Sequence, residues 1–212
     1  MNDRDATGPF DAEASARLSE SEEAALAGRR VVLGISGGIA TYKLATVVSA
    51  LAQAGAEVTV AMTESATRFV APLTFQALSG RRVLVSPWED ADAADPQHIA
   101  VARSAECMLI APCTMDALAR LAAGRADDMV TLLAASIDRT RTPVLVAPSM
   151  NDAMWRQPAT QRNLRTLAED GYALVEPEAG WQACRTIGMG RLAAPSALIA
   201  ALAAALRDRA AG

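Results

Sequence analysis

The chain has only one histidine, His98, and one lysine, Lys43, in 212 residues. A single imidazole excludes any metal centre built from several histidines. The three cysteines, Cys107, Cys113 and Cys184, fall at spacings that match neither a zinc site nor a disulfide framework. That usage points to a reducing compartment, and no metal is expected. No apolar run reaches the roughly 20 residues a membrane span needs. The opening M-N-D-R-D-A-T-G lacks the basic-then-apolar order of a secretory signal. A cytoplasmic protein with no membrane partner is the expectation. The charge is balanced, 20 basic residues against 24 acidic, which leaves no basic footprint for nucleic acid.

What the chain does have is a core: 51% of its residues are hydrophobic, ample for one large layered domain. Residues 1–29 are polar, acidic and Ala-rich; S-E-S-E-E-A-A-L-A can form a short helix, but the stretch reads as a flexible N-terminal extension. From residue 30 to 212 the pattern is that of a single domain. Short apolar runs recur at 31–35, 57–61, 82–86, 107–111, 144–147 and 172–176. Each is separated from the next by room for a helix or turn. Continuous apolar strands alternating with helices predict a parallel sheet buried on both faces. The expectation is a three-layer α/β fold with a doubly wound, six-stranded sheet of Rossmann-like or flavodoxin-like type. Helix signals support it, with Gly55 closing one helix and Pro158 and Gly171 bounding another.

In such a sheet a ligand belongs at the carboxyl ends of the strands. The loop G-I-S-G-G-I-A-T-Y-K after the first strand carries Ser36, Gly37, Gly38 and Ile39. Before a helix it offers free N–H groups to an anion such as a mononucleotide phosphate, or is simply a tight turn. It lacks the spacing of a Walker A or dinucleotide loop. After the second strand, Thr63 and Ser65 are hydrogen-bonding side chains or helix caps, and Phe69 could lie on a planar group. A-P-C-T-M-D supplies Pro112 and Thr114 at the end of the fourth run. D-P-Q-H-I-A-V-A-R sets His98 at a helix start, where a neutral ring could act as a base or could be a surface residue. Arg103 and Arg191 pair with a phosphate or with surface acids. P-S-M-N-D-A-M-W gathers Met150, Asn151, Met154 and Trp155 at one strand end.

These motifs, with E-A-G-W-Q-A-C-R-T-I-G-M-G-R-L, occur in the order seen in the homo-oligomeric FMN-containing cysteine decarboxylases, which the chain resembles over roughly residues 30–195. That family includes phosphopantothenoylcysteine decarboxylase and enzymes that decarboxylate the C-terminal cysteine of lanthipeptide-type precursors. The resemblance implies FMN as cofactor, oxidation of the cysteine Cβ–S unit to a thioaldehyde, and easy loss of CO2 to an enethiolate because the electrons flow into sulfur. It implies catalytic roles for His98, Asn151 and Cys184, and an FMN site from Ser36, Gly37, Gly38, Ile39, Thr63, Ser65, Phe69, Pro112 and Thr114. Met150, Asn151, Met154, Trp155 and Arg103 would meet the substrate. A homo-oligomer is implied, a trimer or a dodecamer built of trimers, with the flavin near a subunit interface.

Substrate choice turns on A-C-R-T-I-G-M-G-R. In the pantetheine branch the matching segment reads A-C-G-x-x-G-x-G-R, and its cysteine helps return the hydride to give a saturated thiol. Cys184 therefore favours 4'-phosphopantothenoylcysteine, converted to 4'-phosphopantetheine in coenzyme A biosynthesis. Arg185 departs from that pattern, as do Cys113 and Ser149, which replace small alanines. The alternative is a peptidyl-cysteine decarboxylase that stops at the enethiol. The sequence ends at residue 212, so no fused synthetase domain is expected. A flavin prenyltransferase would lack P-x-M-N-x-x-M-W, and a non-catalytic binding subunit would have no need of His98, Asn151 and Cys184.

Overall fold

The computed structural model describes residues 18–88 and 97–211. Five parallel strands form the main sheet in the order β2-β1-β3-β4-β5: β1 (Arg30–Ile35), β2 (Glu57–Met62), β3 (Cys107–Cys113), β4 (Val144–Pro148) and β5 (Ala173–Leu174). The order reverses between β1 and β3. A separate antiparallel hairpin, β6 (Glu178–Trp181) and β7 (Ile187–Arg191), follows.

Both sheet faces are buried except at the edge strand β5, whose two residues are exposed, and this is why β1, β3 and β4 read as unbroken apolar runs. Along β1, Val31, Leu33 and Ile35 enter one core and Val32 enters the other; β3 divides Leu109 and Ala111 from Met108 and Ile110 in the same way. The first core is closed by α1 (Glu20–Leu26), α2 (Leu44–Gln53), α3 (Pro72–Ser79) and α9 (Pro195–Ala211), through Leu26, Val47, Phe75 and Leu202. The second is closed by α4 (Gln97–Ser104), α5 (Met115–Ala122), α6 (Met129–Ser136) and α8 (Pro158–Glu169), through Ala102, Leu118, Leu133 and Leu167. Burying each large aliphatic side chain is worth about 1.5–3 kcal/mol. The single-turn α7 (Asp152–Trp155) leads into α8.

Three expectations are corrected. The sheet has five strands, not six: of residues 82–86, only Leu84 bridges, pairing with Ala61 at the β2 edge. Its N–H donates to Val60 O at 2.9 Å and its carbonyl accepts from Met62 at 2.8 Å. β2 itself ends at Met62 and turns over Thr63–Ala66, so the ladder goes no further. The 172–176 run shortens to two residues of β5, with Pro177 close behind. The expected extension over 1–29 is narrowed at its end, because Ser19 caps α1 in a capping box with Glu22, and Leu26 is fully buried against the first core. Glu106 ties this end down, accepting from Arg29 at 3.0 Å and from the Arg30 N–H at 3.0 Å.

Candidate active site

A cleft of about 1310 Å³ opens at the carboxyl edge of the sheet, between the β1 loop, the start of α5, the segment after β4 and the β6–β7 hairpin. It lies where the strand order reverses, the place expected for a ligand. Its floor is the loop after β1. Ser36 is 2% exposed; its hydroxyl donates to Pro112 O at 2.6 Å and accepts from the Thr114 N–H at 3.0 Å, pinning the ends of β1 and β3 together. Gly37 packs so tightly on the next turn that a Cβ would stand 2.7 Å from Ser65 Cβ and 2.8 Å from Ser65 C. At Gly38 a Cβ would come to 3.3 Å from the Thr114 methyl. Thr114 caps α5, accepting from Ala117 N–H at 3.3 Å.

The second wall comes from P-S-M-N-D-A-M-W. Asn151 caps α7, its Oδ1 accepting from the Met154 N–H at 2.8 Å, which turns its exposed amide group to the cleft rim with Met150 and Met154. The third wall is the hairpin. Gly190 has φ 106, and a Cβ there would meet Met150 O at 2.5 Å, so the hairpin and the β4 segment approach to backbone contact. The Met150 N–H donates to Gly190 O at 2.9 Å across that contact. The hairpin tip presents Cys184, exposed, at the cleft mouth. Cys107 and Cys113 are buried in the sheet, and burial pushes both thiols up to about 12.

The cleft is electropositive. Lys43, Arg185 and Arg191 line it, against Asp116, which is neutralised by Arg120 at 2.8 Å. Among the described residues none of the three cations has an ion pair. Half-burial lowers the Lys43 pKa, the neighbouring Arg191 charge adds to that, and Glu178 opposes it.

Of the residues singled out in sequence, the cleft brings together Gly37, Gly38, Ile39, Ser65, Thr114, Met150, Asn151, Met154 and Cys184. Others lie outside its lining. Ser36 and Pro112 are buried below it, and Thr63 bonds Ser65 and the Ala66 N–H. Phe69 is 49% exposed beyond the rim. Trp155 is not a cleft wall: at the end of the α7 turn it packs on the second core, with its Cβ over Gly190. His98 and Arg103 sit on α4. Since α4 ends three residues before β3 starts, its N-terminus and His98 point to the carboxyl edge of the sheet, yet neither residue lines this chain's cleft. The residues 95–96 that precede His98 lie outside the described residues. Sequence reasoning missed Gln182, buried inside the hairpin beside Cys184; its only sequence signal was that adjacency.

Fold and cleft define a three-layer α/β protein with a large open cleft at the switch point of its sheet. Comparison with known proteins makes this specific. The flavoprotein family model matches residues 19–207. The coenzyme A biosynthesis bifunctional protein CoaBC of Vibrio cholerae is 47% identical over 175 residues, 82% of this chain and 43% of that protein. The chain thus spans less than half the length of the curated relatives it matches. Among solved structures, the FMN-dependent cysteine decarboxylase SpaF superposes with TM-score 0.73 at 32% identity, covering 87% of this chain and 99% of that one. A cysteine-to-serine variant of a PPC decarboxylase, complexed with pantothenoylaminoethenethiol, gives 0.72 at 31%, covering 82% and 96%. The chain belongs to the flavoprotein family, among its flavin-containing cysteine decarboxylases. Among the described residues no helix is long and apolar enough to cross a membrane.

Proposed function

We propose that the chain binds FMN and decarboxylates an acyl-cysteine, with 4'-phosphopantothenoylcysteine as substrate and 4'-phosphopantetheine as product. The carrying observation is that one cleft holds the glycine cradle of the β1 loop, Met150 and Asn151 on one wall, and Cys184 at its mouth. The cradle fits FMN: without side chains, Gly37 and Gly38 let the β1 loop close onto Ser65 and Thr114, so that its backbone lines the cleft together with those two hydroxyl-bearing residues. Bound there, FMN would supply two-electron oxidation of the Cβ–S unit and the return of the electrons. Asn151 would hold the carboxylate through its Nδ2–H, since Oδ1 is committed to the α7 cap. Met150 and Met154 would keep water from the reacting carbon. Lys43, Arg185 and Arg191 give the cleft a charge that suits a phosphorylated substrate.

His98 is not among the residues that line its own chain's cleft. We place it in the cleft of a second copy, in a trimer or larger homo-oligomer, as the base or orienter of the reaction. The peptide alternative rests on Arg185, which departs from the pantetheine pattern at the cleft mouth.

The test is to reconstitute the protein with FMN and offer it phosphopantothenoylcysteine and, separately, peptides ending in cysteine. A product lighter by about 44 Da has lost CO2 alone; one lighter by about 46 Da has also lost two hydrogens and is the enethiol. The expected result is the lighter loss from the phosphorylated substrate. Turnover of peptides alone would replace the substrate assignment, and a protein that takes up no FMN would overturn the whole reading.

A further inference from the structure

Gln182 is 7% exposed, and its amide works in two directions. Nε2 donates to Met189 O at 2.7 Å, with longer contacts to Gly188 O at 3.4 Å and Met150 O at 3.5 Å. Oε1 accepts from the Asp152 N–H at 3.2 Å and from Cys184 Sγ at 3.7 Å. This orientation is the one the donors allow, because a flipped amide would set its NH2 against the Asp152 N–H. One side chain thus joins the hairpin tip, the returning strand and the segment that carries Asn151. Asp152 repeats the link, its Oδ1 accepting from the Met189 N–H at 3.1 Å.

The thiol is fixed by the same group. Sulfur carries one proton; given to Gln182 Oε1, it leaves Thr186 Oγ1, at 3.0 Å, to donate to sulfur. A cysteine at an exposed hairpin tip would otherwise move among three staggered rotamers. An apolar side chain could fill the Gln182 site without desolvating an amide. Fastening the hairpin alone does not explain the amide, since Asp152 already does that.

We propose that Gln182 is a positioning residue for Cys184: it holds the thiol at the cleft mouth in fixed relation to Met150 and Asn151. The consequence for catalysis rests on the decarboxylase reading. The oxidative half of that reaction needs the flavin and the carboxylate site. The reductive half, which would add two electrons supplied by the flavin and two protons across the carbon–carbon double bond of the enethiol, would need the thiol in place. Loss of Gln182 should therefore change which product leaves.

Two measurements on the FMN-loaded protein test this, with Gln182→Met as the apolar replacement of similar length. The first is mass-mapped iodoacetamide labelling of Cys184, with buried Cys107 and Cys113 as silent internal controls. Release of the thiol should raise the labelling rate about three- to tenfold, the scale of one lost hydrogen bond. The second is the ratio of enethiol to saturated thiol formed from phosphopantothenoylcysteine. It should rise at least several-fold whatever the total rate, whereas a general loss of folded protein lowers total turnover without changing the ratio. If Gln182→Met does not fold, Gln182→Asn withdraws the amide by one methylene and should move both readouts in the same direction by smaller factors. Unchanged labelling in a folded variant overturns the proposal. If the parent protein turns over no acyl-cysteine, the decarboxylase reading fails instead, and labelling still decides the role of Gln182.

Discussion

Gly37→Ala tests whether the cleft floor has room for anything but glycine. The added methyl would fall within contact of Ser65 Oγ, 2.7 Å from its Cβ and 2.8 Å from its backbone carbon. The hydroxyl can rotate away, but the backbone carbon cannot without moving the Thr63–Ala66 turn, which is held by the Ala66 N–H bonding to Thr63 O at 2.9 Å. Forcing a methyl into such packing costs about 1–3 kcal/mol. At this chain length that lowers Tm by roughly 2–4 °C per kcal/mol. If the same displacement distorts the flavin cradle, FMN affinity falls about fivefold to a hundredfold. Calorimetry reads the first effect and quenching of FMN fluorescence the second. Gly38→Ala is the internal comparison: its methyl meets only side-chain carbons, the Thr114 methyl at 3.3 Å and Pro112 Cγ at 4.0 Å, so FMN affinity should stay within about threefold. Adding Ser65→Gly to Gly37→Ala removes the Oγ and Cβ contacts and leaves the backbone one, so recovery should be partial. A Gly37→Ala protein with the parent's Tm and FMN affinity would refute this account of the loop.

Three further outcomes follow from particular contacts. Arg185 holds φ 65 at the hairpin tip, a left-handed conformation that costs a non-glycine residue about 1 kcal/mol, so Arg185→Gly should raise Tm by a few degrees while weakening binding of a phosphorylated substrate. Asn151→Asp keeps an oxygen to cap α7 but sets a charge against a substrate carboxylate; Tm should hold while KM rises at least tenfold, whereas Asn151→Ala should lose both, with about 1 kcal/mol from the cap. Burial opposes ionisation of Glu106, yet the Arg30 N–H and the Arg29 and Arg30 guanidinium groups together hold its carboxyl below the ordinary value. A depressed folded-state pKa stabilises above the unfolded value and is lost as pH falls through the folded one, so Glu106→Gln should cost about 1 kcal/mol at neutral pH and nothing in acid, read as Tm against pH.

The strands were legible because a sheet covered on both faces writes itself as continuous apolar runs, and that pattern locates every strand of the main sheet. It overcounts at 82–86 for a physical reason. Val83 and Leu84 are buried as a strand's residues would be, but burial specifies where side chains go, not whether the neighbouring β2 runs on past Met62 to pair with them. The hairpin was illegible for the converse reason. Ile187 and Trp181 are exposed and Gly180, Gly188 and Gly190 carry no side chain, so no alternation marks β6 and β7.

The site divides along the same line. That Gly37, Asn151 and Cys184 line one cleft was legible because each is marked by residue type at a strand end or in a motif. Trp155 was misplaced because the one-turn helix capped by Asn151 rotates it from the cleft onto the second core, which depends on a cap geometry that composition does not reveal. Gln182 was missed for a deeper reason. An amide two positions from a cysteine reads as solvent-facing polarity, and its meaning comes from partners that only the fold brings to it: the Met189 carbonyl seven positions on, and the Asp152 N–H and Met150 O across 30 and 32 positions. Long-range hydrogen bonds of a neutral side chain leave no periodicity and no charge signature. That is why a residue of this kind is found from the fold inward, and why its effect should surface in product ratio before it surfaces in stability.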